Sequence, residues 1–161
     1  MGINEHQSSR IITDEWLTPP EIINALGPFD LDPCAPVKRP WPTASKHFTI
    51  EDNGLLQPWE GFIWCNPPYG NYGTRWMERM AMHNNGIALI FARTETFMFH
   101  RFVWNVAESI LFIQGRITFY RPNGIQADMN GGAPSVLIGY GMEADERLKN
   151  CGINGKYIKI K

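Results

Sequence analysis

Cysteine is scarce in this 161-residue chain: Cys34, Cys65 and Cys151 are scattered and odd in number. There is no Cys-x-x-Cys and no Cys/His ligand spacing, so neither a disulfide framework nor a zinc site is indicated, and a reducing cytosol fits best. No apolar run approaches the ~20 residues of a membrane-spanning helix. Met1 to Arg10 is polar and lacks the apolar stretch of a secretory signal. Net charge is nearly absent as well, with 15 Lys and Arg against 16 Asp and Glu. That balance argues against a protein that coats nucleic acid nonspecifically, and it leaves a local basic cleft open. A Gly-x-Gly loop, the usual phosphate or nucleotide turn after a first strand, is missing too.

What remains is ordinary for a globular protein: 43% apolar and 19% charged residues, in a length suited to one core. We expect residues 1–13 to form a flexible N-terminal arm and 14–161 a single domain. The twelve prolines and fifteen glycines crowd into the first half and around 121–134, which suggests a loop-rich active face. Pro19 to Leu26 reads as a short helix, capped by Thr18 and closed by Gly27. Phe29-Asp30-Leu31-Asp32 reads as a strand ended by Pro33, and 34–45 as a Pro-rich basic loop. Gly86 opens the continuous apolar run Ile87 to Ala92, typical of a strand covered on both faces. Helices are expected over Thr74–His83, Phe97–Ala107 and Glu143–Asn150, and a strand over Ser109–Gln114. Ile117–Tyr120 and Ser135–Tyr140 are expected to pair as an antiparallel hairpin. Strands alternating with helices and ending in such a hairpin predict an α/β fold with a mostly parallel sheet.

The most informative stretch is Asn66-Pro67-Pro68-Tyr69, directly after the apolar run Phe62-Ile63-Trp64-Cys65. A rigid turn at the carboxyl end of a strand is where open α/β sheets bind ligands. Two prolines fix its backbone and remove two N–H donors. Carbonyl oxygens and the Asn66 side chain are left as acceptors, with an aromatic ring one step on, a combination that suits a planar substrate bearing an amino group. Asp32-Pro33-Cys34-Ala35 ends the first strand and can meet a cofactor's amino group, or be a simple Asp-Pro turn. Asp52-Asn53-Gly54-Leu55 can hold an adenine amino group, or be an Asx-type turn with Gly54 left-handed. Thr18 and Pro19 stand at a helix start, which can receive a carboxylate. Arg93, Arg116 and Phe119 belong to an arginine and aromatic set suited to a displaced base and its phosphate backbone.

Taken together these segments resemble the phage-encoded DNA N6-adenine methyltransferase family. The resemblance rests on Asp14 to Pro19, Phe29 to Ala35, Asp52 to Leu55, Trp59, Asn66 to Gly70, Ala92 to Thr94 with Thr96, Gly115-Arg116 with Phe119, and Ala133-Pro134. It runs from about residue 14 to 140. It implies a compact Rossmann-like sheet that uses S-adenosyl-L-methionine as cofactor and double-stranded DNA as partner. By the same resemblance Asn66, Pro67, Pro68 and Tyr69 are catalytic. Thr18, Pro19, Asp32, Pro33, Cys34, Ala35, Asp52 and Asn53 bind the cofactor, while Tyr69, Arg93, Arg116 and Phe119 meet the substrate. A setting in a bacterial or phage-infected cytosol, and a part in restriction-modification, follow as expectations. The chain departs from the wider superfamily in having Asp-Pro-Cys-Ala where Gly-x-Gly would stand. Two alternatives stay open from sequence: the same chemistry on RNA adenine or a protein glutamine amide, and a non-catalytic nucleic-acid-binding relic of the fold.

Overall fold

The computed structural model describes residues 15–161; the arm expected over residues 1–13 lies outside them. Seven strands form one sheet: β1 Leu31–Asp32, β2 Lys46–His47, β3 Ile63–Cys65, β4 Gly86–Phe91, β5 Ser109–Ile113, β6 Ser135–Tyr140 and β7 Gly155–Lys159, in the order β2-β1-β3-β4-β6-β5-β7. The helices are α1 Pro20–Leu26, α2 Gly73–His83, α3 Phe97–Phe99 and α4 Met142–Asn150. Helix α3 runs directly into a π-helical turn, His100–Trp104.

Alternation along β4 explains the layering. Ala88 and Ile90 join one apolar cluster with Trp76, Met77 and Met80 of α2 and with Phe99 and Val103. Ile87 and Leu89 join a second cluster with Ile22, Ile23 and Leu26 of α1 and with Ala144 and Leu148 of α4. A strand buried on both faces needs apolar residues at every position, which is why 87–91 reads as an unbroken run. Complete burial of a side chain such as Met77 or Met80 contributes about 1.5–3 kcal/mol. Asn84 ends α2 in the left-handed conformation (φ 53°), and its N–H donates to the Met80 carbonyl.

The sheet is mixed rather than mostly parallel by pairing. β2–β1, β1–β3 and β3–β4 are parallel; β4–β6, β6–β5 and β5–β7 are antiparallel. By direction, β5 nonetheless runs with β1–β4, because two antiparallel steps restore the original sense. The expected hairpin partner is also corrected. β6 pairs with Ser109–Ile113, and Ile117–Tyr120 forms no strand. Tyr120 instead makes isolated bridges to Leu17 and Gln126, so the alternating Ile117–Tyr120 pattern is used to bury Ile117 and Phe119 beneath a loop.

One consequence of this topology positions the site. The carboxyl ends of β1, β2, β3, β4 and β5 and the start of β6 all open on the same sheet edge. The connections that leave that edge are 33–45, 48–62, 66–72, 92–96 and 114–134. Among the described residues no helix is long and apolar enough to cross a membrane.

Candidate active site

Asn66 follows β3 directly, at the centre of that edge. Its Nδ2 donates to Thr18 Oγ1 at 3.4 Å, and its backbone carbonyl accepts from Cys34 Sγ at 3.3 Å. Three of the motifs singled out in the sequence thus meet at one residue. The described residues supply no donor to Asn66 Oδ1 or to the Pro67 carbonyl, so consecutive residues of the turn each keep an unengaged acceptor. Proline at 67 and 68 keeps them there by fixing φ and by offering no N–H of its own.

Thr18 was expected to cap α1, but Pro19 holds the cap position and no side-chain cap bond forms. The seven-residue helix starts at Pro20, one step too late for the Thr18 hydroxyl to reach its free N–H groups. Thr18 is buried (2% exposed), and its carbonyl accepts from Trp41 Nε1 at 3.2 Å. Trp41 in turn meets Tyr120 edge-on at 5.1 Å, while Leu17 and Tyr120 exchange backbone hydrogen bonds at 2.8 and 3.0 Å. The segment around Thr18 and Pro19 is therefore clamped between loops 33–45 and 114–134.

Asp32 ends β1 and is 3% exposed. Its Oδ1 accepts from the Cys34 N–H at 3.1 Å and its Oδ2 from Thr43 Oγ1 at 2.5 Å. Burial nonetheless pushes its carboxyl up to about 6, against the pull of those two bonds and of the Arg39 charge. His47 stabilises the same loop: its Nε2 accepts from the N–H groups of Thr43 and Ala44 at 3.2 and 3.3 Å. Burial, helped by Arg39, pushes the imidazole down to about 4, so it is neutral and able to accept. Cys34 Sγ lies 3.8 Å from Cys65 Sγ. That contact, followed by burial, holds the Cys34 thiol well above its usual range, so it is a thiol donor rather than a thiolate. The Ala35 N–H donates to the Phe48 carbonyl at 2.9 Å.

Asp52 and Asn53 lie on an exposed loop that packs against the end of β1. A Cβ on Gly54 would fall 1.8 Å from the Pro33 carbonyl oxygen, so only glycine allows this approach. The left-handed residue of the turn is Asn53 (φ 54°), not Gly54. Asp52 Oδ2 accepts from the Thr49 N–H and Oγ1 at 2.8 and 3.1 Å. Trp59 Nε1 donates to the Gly54 carbonyl at 2.8 Å, and Arg79 donates to the carbonyls of Leu55 and Gln57. An open cavity of about 530 Å³, lined by Leu55, Trp59 and Arg79 among others, lies on this loop and includes neither Asp32 nor Asn66.

Tyr69 is half-buried, and its ring stacks on Phe91 with centroids 4.4 Å apart and planes at 10°. Burial pushes its hydroxyl up to about 12, so the phenol is neutral. Arg93 and Arg116 are exposed on the same edge, after β4 and β5. Phe119 is 5% exposed and belongs to the second apolar cluster, where it packs as core.

Sequence reasoning did not single out Thr43, His47, Trp41, Cys65 or Phe91 for the site. Only Phe91 carried a usable signal, as the aromatic end of the central apolar run. Comparison with curated proteins and with solved structures returned no match. The family model for DNA N-6-adenine-methyltransferase (Dam) matches residues 6–146, most of the chain, and the protein accordingly belongs to that family of adenine-specific DNA methyltransferases.

Proposed function

We propose that the methyl group comes from S-adenosyl-L-methionine and goes to N6 of an adenine turned out of double-stranded DNA, within a Rossmann-like frame. The observation that carries this reading is the pair of unengaged acceptors, Asn66 Oδ1 and the Pro67 carbonyl, on a proline-locked turn beside a stacked aromatic ring.

The two acceptors take the two N–H bonds of the adenine amino group. Nitrogen lone-pair density is thereby drawn away from the ring and aimed at the incoming carbon. A base turned out of the duplex gives up its stacking and pairing, and Tyr69 returns part of that through a base–aromatic stack of about 1–3 kcal/mol. The neutral Tyr69 phenol is no base, and none is required, because the nitrogen becomes acidic only once it has gained the methyl; its proton then passes to water. Catalysis comes mainly from positioning.

Residues on this chain suit the cofactor. Asp32 is a buried carboxylate without a directly bonded cation, at the carboxyl end of β1, and is ionised above about pH 6. Thr18, Pro19, Pro33, Cys34 and Ala35 line the same junction, and Asp52 with Asn53 stands on the loop held against Pro33. When bound there, S-adenosyl-L-methionine supplies an electrophilic methyl group. Arg93 and Arg116 would meet the phosphate backbone. The exposed apolar side chains Tyr72, Phe97, Ile125 and Met129 surround the same edge, and apolar wedges of this kind accompany unstacking of a duplex. A part in phage DNA modification or in a restriction-modification pair fits this chemistry.

The test is incubation with S-adenosyl-L-methionine and adenine-unmethylated plasmid, followed by mass spectrometry of N6-methyladenine. Asn66→Ala is expected to lower turnover on the order of 100-fold, the size seen when one group that stabilises a transition state is removed. Turnover by Asn66→Ala equal to the wild type would end the assignment of the catalytic turn.

A further inference from the structure

A ring that receives a displaced base works as a platform only if something behind it keeps it still. The Tyr69–Phe91 pair has the shortest centroid separation among the described aromatic pairs, 4.4 Å, and its ring planes are nearly parallel. The two partners differ in how firmly they are held. Tyr69 stands on a turn, whereas Phe91 is the last residue of β4, in register with Ser135 of β6. Its carbonyl also accepts from the Arg93 N–H at 2.8 Å. The Phe91 backbone is thus anchored at the end of the central strand whereas Tyr69 is carried on a turn, which makes Phe91 the better held member of the pair.

Phe91 also touches the loop 114–134. A Cβ on Gly131 would lie 3.6 Å from Phe91 Cε1 and 3.5 Å from Phe119 Cε2, so the loop backbone rests against both rings. The Gly131 N–H donates to the Ile117 carbonyl at 2.8 Å and holds the loop in that position. The same loop carries Arg116 and Arg121.

We propose that Phe91 is a positioning residue: it covers one face of Tyr69, leaves the other for the adenine, and so builds a three-ring stack anchored on β4 and on the loop 114–134. The proposal rests on reading Tyr69 as the base platform. It has a definite sign. Were Phe91 lying on the face the base needs, it would be a plug, and removing its ring would help the reaction.

Two ringless apolar variants, Phe91→Leu and Phe91→Met, and one that keeps the ring, Phe91→Tyr, separate these cases. Each is compared with wild type in thermal melting, in calorimetric binding of S-adenosyl-L-methionine, and in kcat and KM on unmethylated plasmid. The ringless variants are expected to lose about 3- to 10-fold in kcat/KM for DNA, the size of one aromatic pair, with cofactor binding unchanged. Phe91→Tyr is expected to stay within about twofold of wild type, by the same reasoning. Ringless variants as active as wild type, or more so, overturn the proposal, as does a Tyr variant no better than Leu or Met. A wild-type protein that makes no N6-methyladenine overturns the platform reading itself and the proposal with it, an outcome distinct from an active wild type with indifferent variants.

Discussion

Two buried carboxylates, at opposite ends of the sheet, are treated in opposite ways. Asp32 at the end of β1 is 3% exposed and Asp145 on α4 is 7% exposed. Asp145 is fully provided for: Lys159 Nζ donates to its Oδ2 at 2.5 Å and Tyr157 OH to its Oδ1 at 2.5 Å. Burial alone would raise its carboxyl, but these bonds and the Lys159 charge outweigh it and hold the carboxyl below its ordinary range. Asp32 receives two neutral donors and no directly bonded cation, and burial wins, raising it to about 6. A carboxylate that staples an edge strand to a helix gains from pairing. Asp32, at the carboxyl end of β1, is left short of a cation, and on the reading proposed above the bound cofactor completes it.

That contrast is sharpest in the response to neutralisation. Asp32→Asn keeps the shape and removes the charge. It is expected to lower kcat/KM for S-adenosyl-L-methionine on the order of 100-fold, as truncating one side of a buried charge contact does, while melting stays within a few degrees of wild type. A variant that bound the cofactor as well as wild type would strip Asp32 of its proposed role.

The pH dependence is the next largest effect. On the same reading kcat/KM falls about tenfold per pH unit below about 6 as Asp32 takes up its proton. Stability carries two opposed slopes. Asp32 is raised from 3.8 to about 6 on folding, so the folded state binds the proton first and acidification from 6 to 4 stabilises it, by roughly 2–3 kcal/mol at most. His47 is lowered from 6.5 to about 4, so its contribution is complete above 6.5 and is lost as pH falls from there to 4. In the wild type the two oppose each other in that window. Asp32→Asn is expected to unmask the His47 slope, with melting temperature dropping from pH 6.5 to 4, and His47→Gln the reverse. Parallel melting curves for all three proteins across that range would show that neither group titrates as its surroundings imply.

Much of this was legible in the sequence, for reasons of range. The run Ile87 to Ala92 and the turn after Cys65 are local signals, as is the helix-like segment Thr74–His83 that became α2. They stand where periodicity and turn chemistry put them. What was not legible depended on distant partners. Ile117–Tyr120 alternates like a strand, yet Ser109–Ile113 takes the place beside β6, while Leu17 and Gln126 claim Tyr120. Thr18 has the chemistry of a cap, but Pro19 takes the cap position and Asn66, 48 positions away, takes its hydroxyl. His47 gave no signal, because its partners are backbone N–H groups, which no side-chain pattern reveals. Phe91 gave a signal only as the aromatic end of an apolar run, which by itself reads as core; the stack on Tyr69 is what separates it from Leu89.

The smallest expected effect falls on the paired carboxylate. Asp145→Asn keeps an acceptor for Tyr157 and removes the charge opposite Lys159. Lys159 is partly exposed and retains Glu108 at 3.7 Å, so water and a second carboxylate cushion the loss. Melting at pH 7 is expected to drop by roughly 2–6 °C, the size of one or two weakened hydrogen bonds in a domain of this length. Because the Asp145 carboxyl is depressed, that deficit is present at neutral pH and closes only as pH falls below about 4, the acid side of its ordinary range. Methylation per folded molecule is expected to stay at the wild-type level, since none of the residues assigned to the reaction lies on α4 or β7. A loss of turnover without a loss of melting temperature would mean that the far edge of the sheet reaches the active face, and the division between a paired structural carboxylate and an unpaired functional one would no longer hold.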